Sequence, residues 1–178
     1  MKFNLLATSL LSTLTITLGF NLSIPQAQAD NEVQFFCDNS YDSESGALPT
    51  TFARTSRGKI PIIRWRNEDF IDADFSLQQR CDAFSYRFQR AYDKDSFSVI
   101  TNSKINNQPV ICATNKYREP CNELLMILHP EENVILVFNN IRKVFDGEQV
   151  GIPTKAEDIP QVYYQIDIEN FLETAPIE

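Results

Sequence analysis

Four cysteines behind an export segment limit what this chain can fold into more tightly than any other feature. Cys37, Cys81, Cys112 and Cys121 are an even number. The chain opens MKFNLLATSLLSTLTITLGFNLSIPQAQAD: Lys2 is a positive start, Leu5 to Leu22 an apolar stretch diluted by Thr and Ser, Pro25 a breaker, and Ala27-Gln28-Ala29 a small-x-small cleavage site. That is the pattern of a secretory signal peptide. Residues 1–29 are therefore expected to be removed, leaving 30–178 as a single domain outside the cytoplasm. An uncleaved membrane anchor is the alternative, and the cleavage motif argues against it. No later stretch approaches the roughly 18 apolar residues that span a bilayer. In an oxidising compartment the even count reads as two disulfides, with three connectivities open. Zinc would want close cysteine pairs or several histidines, and His129 is the only histidine. A redox couple would want C-x-x-C, which is absent.

The helix signal is strongest in SLQQRCDAFSYRFQRAYDK, residues 76–94. Ser76 and Gln79 have capping-box spacing, each side chain reaching an amide at the helix start. Leu77, Cys81, Phe84, Phe88 and Tyr92 recur at steps of four, three, four and four, one apolar stripe. Cys81 lies in that stripe, so its sulfur is expected to face a sheet. Before it, EVQFFCDN reads as a strand led by Val33, Phe35 and Phe36, and SYDSESGALP (40–49) as a polar loop. TTFART and IPIIRW read as two strands joined by SRGK, with Thr50, Phe52, Ile60, Ile62 and Ile63 inward and Trp65 closing the second.

After the helix, FSVITNSKINNQPVICAT (97–114) predicts a hairpin turning at Asn106-Asn107. ELLMILHP predicts a further core strand, EENVILVFNNIRKVFDG a helix stopped at Gly147, and QVYYQIDIENFLE an edge strand and a short helix. The class is α+β: a mainly antiparallel sheet with two principal helices packed on it. A Cys112–Cys121 bridge would join the ends of two neighbouring antiparallel strands, and Cys37–Cys81 follows by elimination. In a loop-entropy treatment these closures contribute about 3 and about 4 kcal/mol.

Several short elements, taken in order, resemble one family. They are Phe35-x-Cys37, Thr50-Thr51, Pro61-Ile62-Ile63-x-Trp65, Arg80-Cys81, Ser85-x-Arg87-Phe88, Ile105-Asn106-x-x-Pro109-Val110-Ile111-Cys112, Cys121 with Leu124-Leu125, and Tyr164-x-Ile166-Asp167. Over about residues 33–172 the chain resembles the circadian oscillating proteins of cyanobacteria. The resemblance implies a cyanobacterial source, an extracytoplasmic home and abundance that follows the day–night cycle. It carries no catalytic residue and no ligand.

Charge and motif content narrow the function classes. Beyond residue 29 the chain has 24 acidic and 15 basic residues, a net charge of −9. Such a surface repels nucleic acid and anionic headgroups. No G-x-S-x-G elbow, P-loop or dinucleotide fingerprint appears, and a Cys–His hydrolase would need a free thiolate. His129, before Pro130, reads as a turn or cap residue. The expectation is a non-enzymatic envelope protein without cofactor, in the periplasm or cell envelope (or a thylakoid lumen), that binds a protein partner or stabilises an assembly; peripheral membrane association is compatible with it.

Arg80, Arg87 and Arg90 are the candidate partner patch. At about 100° per residue the first two fall within about 20° of each other and Arg90 about 60° away. The competing reading pairs them internally with Asp72, Asp74 or Asp82 as ordinary surface ion pairs. The alternative function is weak calcium or small-ligand binding, with Asp69, Asp72 and Asp74 on one connection and Asp38, Asp42 and Glu44 on another. Neither connection has the twelve-residue calcium-loop pattern.

Overall fold

Strand pairing in this protein begins with a meander. The computed structural model describes residues 32–66, 75–145, 148–149 and 161–178; these belong to one compact unit, Asn31–Glu178. Strands β1 (Gln34–Asp42), β2 (Gly46–Thr55) and β3 (Gly58–Arg64) form an antiparallel three-stranded sheet in that order. The expected signal segment and cleavage site, and Gly147, lie outside the described residues.

The polar stretch 40–49, expected to be a loop, is mostly strand. Ser40 pairs with Leu48 and Tyr41 with Ala47, leaving only residues 43–45 to turn. The turn is local chemistry: Asp42 Oδ1 accepts from the amides of Glu44 and Ser45 at 3.1 and 2.9 Å, and Gly46 takes φ +74°, a left-handed value that costs glycine little. Polar composition concealed the ladder because the hairpin tip projects into solvent; Tyr41 is 77% exposed.

β2 is the middle strand and is buried on both faces. Thr50, Thr51, Phe52 and Ala53 are all inaccessible. Ala53, Ile60 and Ile62 face the main core. Phe52, expected on that same side, packs on the opposite face against Phe36 (ring centroids 5.8 Å apart) and beneath the Lys59 ammonium at 4.4 Å. Alternation along a strand places neighbours 52 and 53 on opposite faces.

Helix α1 (Leu77–Asp93) packs on β1 and β2 and against the later strand Glu123–Ile127. Its start is the expected capping box, with Ser76 Oγ accepting from the Gln79 amide and Gln79 Oε1 from the Ser76 amide. Cys81, Phe84 and Phe88 are buried, and Leu77 and Tyr92 pack against the core from its margin. Phe88 is the hub: its ring centroid lies 4.2 Å from Phe97, 4.6 Å from Phe35, 5.3 Å from Phe84 and 5.9 Å from Phe145.

The remaining strands form a second, five-stranded antiparallel sheet. They are β4 (Val99–Ile105), β5 (Gln108–Thr114), β6 (Glu123–Ile127), β7 (Glu148–Gln149) and β8 (Tyr163–Gln165), in spatial order β6-β5-β4-β8-β7. Asn106 and Asn107 have φ of 50° and 64°, as a two-residue I′ hairpin requires. β8, expected at an edge, is interior. Asn102 Oδ1 accepts from the Val162 amide at 2.7 Å and Thr101 Oγ1 donates to the Val162 carbonyl at 2.8 Å, so two buried polar residues of β4 guide the returning chain to its side.

Helix α2 (Val134–Phe145) buries Val134, Val137, Phe138, Ile141 and Phe145. Helix α3 (Ile168–Thr174) is capped by Asp167 and held by Arg57, which donates to the carbonyls of Leu172 and Ala175 at 2.8 and 3.0 Å. The class is α+β, with two sheets rather than one.

Candidate functional site

All four cysteines are consumed. Cys37 of β1 bonds Cys81 of α1, with Cα atoms 5.6 Å apart, and Cys112 of β5 bonds Cys121, just before β6, with Cα atoms 5.3 Å apart. The first staples a helix to a sheet; the second ties the entry of β6 to its neighbour. Cys81 is inaccessible and sits on a small polar cluster. Thr51 Oγ1 lies 3.8 Å from its sulfur and accepts from Trp65 Nε1 at 3.1 Å and Ser85 Oγ at 3.0 Å. None of these sulfurs is a thiolate, so none is a nucleophile or a metal ligand in this state.

The three candidate arginines have different surroundings. Arg80 is nearly buried: its guanidinium lies 3.3 Å from Glu132, with side-chain exposures of 9% and 1%. Arg90 meets Glu123 at 3.5 Å, and Lys94 bonds the same carboxylate. These acids differ from the expected ones. Asp82 takes Gln78 instead, at 3.1 Å, and Asp72 and Asp74 lie outside the described residues.

Arg87 is the exception. Half-buried between α1 and β6, it has no hydrogen bond, ion pair or ring stacking among the described residues. Burial alone pulls its pKa below the ordinary guanidinium value. It borders a slot of about 80 Å³ whose lining mixes Trp65, Phe75, Phe84 and Ile127 with the polar Gln79 and Arg80. Phe75 is 60% exposed and Ile127 41%. Of the three arginines, Arg80 and Arg87 both line this slot, and Arg87 is the one without an ion pair among the described residues.

Glu132, the partner of Arg80, carries one sequence signal, its spacing from His129. It follows His129-Pro130-Glu131 in a turn, where its second oxygen accepts from the His129 amide at 2.7 Å. His129 has turn duty, its Nδ1 accepting from the Glu131 amide at 3.3 Å. The E at the third position after His129 has capping-box-like spacing, the one clue that could have found it.

The acidic loop residues are engaged within the chain. Asp38 pairs with Lys59 at 2.9 Å, and that bond lowers its pKa. Asp42 is also lowered, by the Ser45 and Glu44 amides and by Arg66 at 2.8 Å. Glu44 contributes its amide to that turn. Asp69, Asp72 and Asp74 lie outside the described residues. Among the described residues no group of three or more His, Cys, Asp or Glu side chains is arranged to hold a metal ion, and no helix is long and apolar enough to cross a membrane.

Fold and staples define a disulfide-locked α+β module suited to an oxidising, extracytoplasmic environment. The family model for circadian oscillating protein COP23 matches residues 34–173, most of the chain, and the chain belongs to that family. No curated protein and no solved structure matches it.

Proposed function

We propose that this protein is an exported, non-enzymatic docking protein of the cell envelope, binding a protein partner through the face where α1 meets β6. The observation that carries this reading is Arg87, a half-buried cation with no counter-charge among the described residues, flanked by the exposed Phe75 and Ile127. Arginine and aromatic side chains dominate binding energy at protein interfaces, where a rim excludes water around them. The two staples support the same reading, because a rigid face loses little entropy on association. The acidic surface makes nucleic acid and anionic lipid poor partners. Day–night abundance is part of the proposal, and it concerns when the protein acts rather than its chemistry.

Partner recovery from envelope extract tests the reading. The protein, Ile127→Asp and Phe75→Ser are used as baits at equal loading, with melting curves as a folding control. A band recovered by the parent and lost with Ile127→Asp at unchanged melting is the expected result. Equal recovery by all three folded baits would overturn the docking face.

A further inference from the structure

Four buried residues beneath the helix–sheet staple, Thr51, Trp65, Cys81 and Ser85, form one hydrogen-bonded chain. Buried polar groups must find partners, and here the bonds converge on one oxygen. Trp65 Nε1 donates to Thr51 Oγ1 at 3.1 Å, and Ser85 Oγ donates to it at 3.0 Å. A hydroxyl has two acceptor lone pairs and one hydrogen. Both lone pairs of Thr51 are therefore taken, and its hydrogen must point elsewhere. The Cys81 sulfur lies 3.8 Å away. A disulfide sulfur carries no hydrogen, so Thr51 is the donor in that contact.

The second disulfide lacks this arrangement. Each bridge has one inaccessible residue, Cys81 or Cys112, and one half-buried residue, Cys37 or Cys121. Among the described residues nothing donates a hydrogen bond to the Cys112 or Cys121 sulfur. In thiol–disulfide exchange one sulfur is attacked and the other leaves as a thiolate, faster when that thiolate is better stabilised. Apolar burial holds a leaving thiolate back. A hydroxyl already aimed at the sulfur offsets that cost, because hydrogen bonds to an ionised acceptor are the strong ones. On the attacked side, Cys37 lies on β1, the outer strand of its sheet. Its sulfur is met at 3.2 Å by the amide of Gln78, an exposed residue.

We infer that Cys37–Cys81 is a redox switch, opened in the folded protein by a dithiol reductant, while Cys112–Cys121 stays closed. The reductant's thiolate attacks Cys37 Sγ to form a mixed disulfide, and the electron pair of the broken bond goes to Cys81 Sγ. That thiolate accepts from Thr51 Oγ1 and then takes a proton from water. The reductant's second thiol, deprotonated, displaces Cys37, which is protonated in turn. The reductant ends as a disulfide, and two electrons and two protons have passed to the protein. Opening frees the start of α1 from β1, while Phe84 and Phe88 keep the rest of the helix on the core.

Timed reduction by dithiothreitol of the native protein, quenched in acid, alkylated in denaturant and mapped by peptide, reads both bonds at once. The expected result is that Cys37–Cys81 opens roughly tenfold faster than Cys112–Cys121, with circular dichroism unchanged. Glutathione, a monothiol, should leave its adduct on Cys37 and a free thiol on Cys81. Thr51→Val removes the donor and should slow this opening roughly fivefold, whereas Thr51→Ser should restore it. Loosened packing would act in the opposite direction, by exposing the bond and speeding its reduction. Equal opening rates for the two bonds, or a glutathione adduct on Cys81, would overturn the switch, and both are read on the parent protein. A folded Thr51→Val that opens as fast as the parent would overturn the role of the hydroxyl.

Discussion

Removing the ring of Phe88 should cost more than almost any other single truncation in this domain. The side chain is fully inaccessible and meets four other aromatic rings at centroid distances of 4.2 to 5.9 Å. Burying a phenylalanine contributes about 1.5–3 kcal/mol. The space it leaves cannot close readily, because its neighbours come from β1, α1, α2 and the segment before β4. At about 24 cal/mol per Å³, a residual void of about 60 Å³ adds roughly 1.5 kcal/mol. Phe88→Ala should therefore cost about 3–5 kcal/mol, as large core aromatics do. Urea unfolding without reductant, so that both disulfides stay closed in both states, is the assay. With a slope of about 2 kcal/mol per molar, the midpoint should fall by about 1.5–2.5 M at unchanged slope. Tyr86→Ala is the control on the same helix; Tyr86 is 65% exposed, and surface changes usually stay within about 0.5 kcal/mol. Equal midpoint shifts for the two variants would refute the packing argument.

Other expectations follow from the charged and covalent contacts. Glu132→Ala should cost more than His129→Ala, because it removes both the buried ion pair with Arg80 and the acceptor of the His129 amide; a denaturant series on both decides, and the reverse order would refute the assigned roles. Cys112→Ser should cost about 3 kcal/mol from loop closure alone, and a non-reducing peptide map should return only the 37–81 and 112–121 pairs. Asp42 has a folded-state pKa below its unfolded value of about 3.9, so its contribution is complete above that value and is lost as pH falls through the lowered one. Asp42→Asn should accordingly lose stability relative to the parent at pH 7 and converge with it at the acid end; a constant difference between pH 7 and pH 2.5 would refute this.

Much of the local structure was legible because it is decided within a few residues. The Ser76–Gln79 box, the stripe through Cys81, Phe84 and Phe88, and the Asn106-Asn107 turn each depend on steric and hydrogen-bonding preferences of neighbours in the chain. The staples were legible for a related reason: an even cysteine count and strand–turn–strand spacing left few sensible pairings. Residues 40–49 were misread because turn-forming side chains also line an exposed hairpin, and composition cannot distinguish the two.

The candidate site belongs to the other category. Three arginines on one helix look alike in sequence, yet Arg80 is buried on Glu132, Arg90 is answered by Glu123 and Arg87 borders a slot. The same holds for β8, brought inside its sheet by Thr101 and Asn102 from about sixty residues away. Helix period and capping are properties of contiguous residues, so the sequence by itself determined them. Which acid reaches which arginine depends on where β6 and the turn after it lie beside α1, and only the tertiary structure decided that.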